Sequence, residues 1–318
     1  MLHGLVGRTV LRVLEEKNFK GVNYVLFSSS KSANTKISFL NKKYIIQELK
    51  EDSFDKHFDY AIFCAGGTVS EKYAPIAANK GCVVIDNSSV FRMDKDVPLV
   101  VPEVNPEDIR KNNGIIANPN CSTIQAVLPL KAIDDKYGIK RIVYSTYQAV
   151  SGAGRSGLED LESKADSNNL KKFPYSIYNN CIPHIDVFME DGYTKEEHKM
   201  IDETRKILHK PSLPITATAV RVPVSNCHGE SINVELEKDF DVYDVRILLE
   251  NYPGIIVADN PEKNYYPLAS VANGHDEVFV GRIRRDHSVE NGLNLWVVAD
   301  NLRKGAASNA VQILEKLL

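Results

Sequence analysis

The apolar pattern of the chain changes period part-way along, and that change dictates two kinds of sheet. Up to about residue 120, short unbroken apolar runs at 22–27, 60–64, 82–85 and 114–117 alternate with helical stretches such as 69–80. Such runs read as strands buried on both faces, and helices between them build a parallel sheet with crossover connections. From about 140 to 300 the strands alternate instead. Ile232, Val234 and Leu236 interleave with Ser231, Asn233, Glu235 and Glu237, and a like pattern recurs across 216–224 and 277–286. Period-2 alternation belongs to a half-covered, mostly antiparallel sheet. The final stretch, 301–318, reads as one amphipathic helix with Ala307, Ala310, Val311, Leu314 and Leu318 on one side, able to pack back on the first domain.

A length of 318 residues suits about two domains. Lys and Arg total 39 against 42 Asp and Glu, a net charge of -3, so no basic excess advertises nucleic acid or an anionic membrane. No apolar stretch approaches the roughly 18 residues that span a bilayer, and the N-terminus lacks a signal-peptide layout. A small-molecule partner and a cytoplasmic location are the expectation. The five cysteines, Cys64, Cys82, Cys121, Cys181 and Cys227, are odd in number and widely spaced. That spacing suits neither a disulfide framework nor a zinc site, and predicts reduced thiols, one of them reactive.

Gly4 and Gly7 precede a helix over 8–17 with Val10, Leu11 and Leu14 on one face, the manner in which a dinucleotide-binding turn enters its first helix. The strand that ordinarily leads into such a turn has no counterpart after Met1, which predicts a Rossmann-like domain with its first strand missing and a natural start further upstream. After the run 22–27, the segment Ser28-Ser29-Ser30-Lys31-Ser32 holds hydroxyls and a cation where an NAD enzyme usually carries an acid, which favours NADP. The segment 86–92, Asp-Asn-Ser-Ser-Val-Phe-Arg, ends a strand with donors and an arginine suited to an anion.

Cys121 stands out among the thiols. Asn118-Pro119-Asn120-Cys121-Ser122-Thr123 follows one strand and opens an apolar helix, so the sulfur meets the positive end of a helix dipole, a setting that favours the thiolate. The other four cysteines read as structural. Gln148 begins Gln-Ala-Val-Ser-Gly-Ala-Gly at a strand end, where glycines permit close backbone approach; the segment reads equally as a turn. Thr194 to Glu197 forms a capping box, and Glu196, Lys199 and Glu203 share one face of the helix it starts; spacing alone makes this a solvated, salt-bridged face. Arg221 sits in line with Ala217 and Ala219, with room for a bidentate grip on a carboxylate, and His228 follows seven residues later with a near-neutral pKa suited to moving protons.

Assembled, these motifs resemble the aspartate-semialdehyde dehydrogenase family over essentially the full chain, from Gly4 to Leu318. The resemblance implies an α/β protein: a dinucleotide-binding domain from residues 1–120 and 301–318, and an α+β catalytic and dimerisation domain over 121–300. It implies NADP-dependent, reversible reductive dephosphorylation of 4-aspartyl phosphate to aspartate 4-semialdehyde, in lysine, threonine and methionine biosynthesis, by a homodimer or homotetramer. Cys121 would be the nucleophile, His228 the acid-base residue and Gln148 a positioning group. Arg221 would hold the substrate carboxylate, Glu196 its ammonium, and Arg92, Asn87 and Lys199 the phosphate. Gly4, Gly7, Ser29, Ser32, Gly152 and Asn301 would contact the cofactor. His3 stands where the family commonly has threonine. The alternatives are N-acetyl-glutamyl-phosphate reductase, which acts on a blocked amine, and a noncatalytic truncated homologue.

Overall fold

The structure, a computed structural model, describes residues 4–164 and 169–318. His3 lies outside the described residues. The chain divides into two units, one of residues 1–119 with 306–318 and the other of residues 120–305.

The first unit opens with α1 (Leu5–Lys17), whose Val10, Leu11, Val13 and Leu14 are buried. A short parallel pair, β1 (Phe27–Ser28) and β4 (Gln47–Glu48), flanks a hairpin of β2 (Lys36–Phe39) and β3 (Lys42–Ile45). The apolar run 22–27 thus contributes only Phe27 to a ladder: among the described residues its only partner strand is β4, and an apolar run without a partner backbone remains irregular. A parallel sheet follows in the order β5 (Tyr60–Phe63), β6 (Val83–Asp86), β7 (Ile115–Ala117), with α2 (Gly67–Asn79) as the crossover from β5 to β6. This is the alternation anticipated for the first 120 residues.

The second unit begins with α3 (Cys121–Tyr137) and β8 (Ile139–Gln148), then α4 (Arg155–Glu162), α5 (Lys195–Ile207), β9 (Ile215–Arg221) and β10 (His228–Leu236). It continues through α6 (Val242–Glu250), β11 (Ile255–Val257), α7 (Ala269–Ala272), β12 (Val278–Asp286) and β13 (Gly292–Ala299). Six strands form one sheet in the order β11-β12-β13-β10-β8-β9, antiparallel in its three inner pairings and parallel in the two outer ones. In β10 Ile232, Val234 and Leu236 are buried while Ser231, Asn233 and Glu235 are half-buried, as the alternation predicts.

The chain then returns to the first unit with α8 (Ser308–Leu317), and the single helix expected over 301–318 is shorter and begins later. The Asp300 carboxylate accepts the Leu302 and Arg303 N–H groups, and residues Arg303–Ala307 wind as a wider π-turn before regular helix starts. Ala307, Ala310, Val311 and Leu314 enter one core cluster with α1, Ile85 and Ile116, whereas Leu318 is exposed. Among the described residues no helix is long and apolar enough to cross a membrane, and all five cysteines are free thiols.

Candidate active site

The register of the second unit's sheet gathers the polar residues at one end. β8 and β9 run parallel with Gln148 opposite Arg221, and β10 runs antiparallel to β8 with Gly229 opposite Tyr147, so the ends of β8 and β9 meet the start of β10. Gln148, Arg221 and His228 therefore arrive together, all buried. The start of α3 joins them: Cys121 Sγ lies 3.2 Å from His228 Nε2. Gly305 permits this placement, because a Cβ there would fall 2.8 Å from the Cβ of Cys121.

The protonation of the imidazole follows from its other nitrogen. His228 Nδ1 accepts the Ala149 N–H at 2.9 Å, so in the neutral ring the proton belongs on Nε2 and points at the sulfur. Burial, and then the nearby Arg221 cation, push its pKa down from 6.5 to about 3, against the pull of Glu196. An N–H donor and the helix N-terminus converge on one sulfur, and both favour its anion.

The Arg221 side chain makes a single hydrogen bond among the described residues, from Nη1 to the Ala149 carbonyl at 2.6 Å, and its remaining guanidinium donors are left for a ligand. Burial lowers its pKa, opposed by the charges of Glu196 and Cys121. Gly152 closes over this pair: a Cβ there would sit 3.0 Å from Arg221 Nη1 and 3.3 Å from His228 Cε1.

Glu196, Lys199 and Glu203 do not form a solvated face. Glu196 and Glu203 are buried, and the helix face turns inward because α3 needs acceptors at its start. Glu203 Oε2 accepts the Asn120 N–H at 2.6 Å, while Glu196 Oε1 accepts Asn120 Nδ2 at 2.9 Å and Gln148 Nε2 at 3.2 Å. Glu196 Oε2 accepts Lys199 Nζ at 3.1 Å, and Lys199 also reaches Asp186 at 2.7 Å. Burial raises the Glu196 pKa, but the Lys199 charge and the bonds from Asn120, Lys199 and Gln148 outweigh it and leave it below the ordinary value. The predicted capping box is present: Thr194 Oγ1 accepts Glu197 N–H and Glu197 Oε2 accepts Thr194 N–H. Gln148 spends both amide hydrogens, on Thr146 and Glu196, so it can serve a ligand only as an acceptor.

In the first unit Asn87 and Arg92 share a second polar cluster. Arg92 donates to the carbonyls of Asn118 and Asn87, and Asn87 Oδ1 accepts Asn118 Nδ2 at 3.0 Å. Gly4 caps α1 with no side-chain cap and no acid in the first turn, leaving bare amides that fit a pyrophosphate; Gly7 is buried within the helix. Ser29 and Ser32 lie in one tight turn, with Ser32 N–H donating to the Ser29 carbonyl. Asn301 is buried in the second unit, where Oδ1 accepts Cys227 N–H and Ser151 Oγ and Nδ2 donates to Ser151, so it keeps one amide hydrogen for a ligand. Sequence reasoning gave no functional role to Ala149, Asn120, Glu203 or Gly305, although Asn120 and Ala149 lie inside the quoted motifs and Glu203 on the face shared with Glu196; only Gly305 carried no local signal.

Residues 2–112 match the family described as semialdehyde dehydrogenase, NAD binding domain, and residues 130–304 match semialdehyde dehydrogenase, dimerisation domain. The chain is 55% identical over 324 residues to the aspartate-semialdehyde dehydrogenase of Aquifex aeolicus, covering 99% of this chain and 95% of that one. The chain belongs to the aspartate-semialdehyde dehydrogenase family. Its identity to the Bacillus subtilis aspartate-semialdehyde dehydrogenase is 47%, over 99% of this chain and 94% of the other. Aspartate semialdehyde dehydrogenase II of Vibrio cholerae, solved in complex with ASA, superposes with a TM-score of 0.94 at 47% identity, over 99% and 96% of the two chains. The Candida albicans aspartate semialdehyde dehydrogenase, solved with NADP, superposes with a TM-score of 0.77 at 26% identity, over 98% of this chain and 95% of that one. As an aspartate-semialdehyde dehydrogenase family member, the chain is an oxidoreductase of amino-acid biosynthesis with a nicotinamide-cofactor-binding unit and a dimerisation unit.

Proposed function

We propose that the chain interconverts L-aspartate 4-semialdehyde and 4-aspartyl phosphate, using phosphate and NADP, through a thioester on Cys121, and that it works in the cytoplasm as a homodimer or homotetramer. The observation that carries this reading is the Cys121 sulfur held 3.2 Å from a histidine nitrogen whose ring proton is fixed by Ala149.

In the oxidising direction the Cys121 thiolate attacks the aldehyde carbon, and the carbonyl electron pair moves onto oxygen. The His228 Nε2–H is the donor to that oxyanion, so the acid-base role begins as a hydrogen bond. The nicotinamide ring, when bound, supplies the acceptor for the hydride that leaves the same carbon. A thioester remains on Cys121. A phosphate oxygen then attacks the acyl carbon, the C–S bond breaks with its electron pair returning to sulfur, and the proton of hydrogen phosphate passes to water. Reduction runs the same steps backwards.

Arg221 presents its donor fork to the substrate α-carboxylate. Glu196 has one acceptor position left on Oε2 after its three protein partners, which suits one N–H of the substrate ammonium. Arg92, Asn87 and Lys199 are assigned to phosphate. The bare amides at Gly4 and Gly7 suit the cofactor pyrophosphate, the Ser29 and Ser32 hydroxyls a 2′-phosphate, and Gly152 and Asn301 the nicotinamide end. The test is phosphate-dependent NADP reduction with aspartate semialdehyde beside N-acetylglutamate semialdehyde. Turnover of the free amine alone is expected; preference for the blocked amine would remove the role given to Glu196.

A further inference from the structure

One buried acid in the second unit has no part in the reaction above. Glu230 lies two residues past His228 on the same face of β10, wholly buried, and neither carboxyl oxygen has a hydrogen-bond partner among the described residues. Gln125, one turn beyond Cys121 on α3, presents the matching defect. Its Nε2 donates to the His228 carbonyl at 3.3 Å, while its buried Oε1 has no partner. α3 and β10 begin at the catalytic pair and pack together. One helical turn advances about 5.4 Å and two strand residues about 6.6 Å, which brings the two side chains to one level.

Three buried acceptor oxygens without a donor are an unstable set, and an ionised carboxylate among them is worse. One proton removes the buried charge, turns one of the three oxygens into a donor and satisfies a second, leaving only a neutral carbonyl oxygen of Glu230 without a partner. We propose that Glu230 is a neutral carboxylic acid in the working enzyme and donates its hydroxyl to Gln125 Oε1, so that Glu230, Gln125 and the His228 carbonyl form one chain holding the imidazole against Cys121. Glu230 is thus a positioning residue, and only this consequence rests on the roles assigned to Cys121 and His228.

The surroundings agree. On β10 the titratable neighbour is His228, which is neutral. On β8 it is Tyr144, whose hydroxyl is engaged with Thr204 and whose own pKa is raised by burial and, more weakly, by Glu230. α5 contributes Glu196 and Glu203, α3 contributes Cys121, and on β9 Arg221 is turned to the Ala149 carbonyl. Among the described residues no cation pairs with Glu230. Burial, then the charge of Glu196, push its carboxyl well above the usual range.

The test combines infrared spectroscopy with kinetics on the full chain. At about pH 8, far above the ordinary glutamate value of about 4.3, a carboxylic-acid C=O stretch is expected in the wild type and absent from E230Q. The same difference is expected between C121S and C121S/E230Q, so the result stands even if the nucleophile assignment fails. E230L, which removes the donor but keeps the bulk, is expected to lose about tenfold in kcat with KM nearly unchanged. E230Q is expected to restore that loss, because its amide N–H reaches the same Gln125 oxygen. Absence of the acid band at this pH overturns the proposal, as does an E230Q enzyme no better than E230L. If E230L fails to fold, the infrared comparison decides alone.

Discussion

Cys121 and Cys227 are both neighbours of His228, one through space and the other along the chain, yet the fold gives them opposite chemistry. Cys121 is the first residue of α3, half-buried, with its sulfur against the imidazole. Cys227 is 2% exposed and packs with Ala258, Ala272, Phe279 and Val298. Burial, and then the charge of Asp300, raise its thiol pKa far from neutrality. Cys82 and Cys64 follow the Cys227 pattern, pushed by burial to about 11 and about 12. Proximity to a histidine is therefore not what prepares a thiol; a donor aimed at the sulfur and a helix start beneath it are.

The largest expected effect tests that contrast directly. Cys121→Ser should lower kcat by on the order of 10⁴ or more, since a serine hydroxyl stays protonated where a thiolate does not. Substrate binding through Arg221 should persist. Iodoacetamide, followed by peptide mass mapping, should label Cys121 and leave Cys227 untouched in the folded protein. A serine variant within tenfold of wild type, or faster labelling of Cys227, would reverse the assignment of the two thiols.

A second, smaller effect separates a neutral imidazole beside Cys121 from an ion pair. The folded pKa of His228, about 3, lies below its ordinary 6.5. As pH falls through 6.5 the unfolded chain takes up a proton that the folded chain refuses until about 3, so the stability this residue contributes is whole above 6.5 and disappears across that window. The loss amounts to a few kcal/mol at the order-of-magnitude level. His228→Asn, which cannot ionise, should flatten this part of the stability curve measured by urea unfolding between about pH 7 and 4. An unchanged acid slope would mean that the ring is already charged in the folded protein.

How much of this the sequence disclosed depended on the range of the interaction. The start of α3 at Cys121 was legible because Asn-Pro-Asn-Cys between an apolar strand and an apolar helix is a local pattern. The Thr194–Glu197 capping box and the alternation of β10 were legible for the same reason. The inward turn of the Glu196 face was not, because its cause is the Asn120 N–H, 83 positions away from Glu203. Nor was Gly305, whose missing side chain matters only because Cys121 packs against it. The run 22–27 misled because strand formation needs a partner backbone as well as apolar side chains, and β4 meets only its end.

The smallest effect lies at Cys227, where two modest costs oppose one another. Its φ of 72° places a non-glycine residue in the left-handed region, at a cost of about 1–2 kcal/mol. Its N–H is fixed there by donation to Asn301 Oδ1 at 2.9 Å, so the backbone has little freedom to relax. Cys227→Ala should remove the buried sulfur and keep the strain, destabilising by about 1 kcal/mol. Cys227→Gly loses one carbon more but releases the strain, so it should be at least as stable as the alanine variant, reversing the usual order in which glycine costs about 0.5–1 kcal/mol more. Both should keep kcat within about twofold, because neither alters the contact between Cys121 and His228. Thermal unfolding of the pair checks the order, and a glycine variant clearly weaker than the alanine one would show that packing around this thiol, and not its backbone, is what the fold uses.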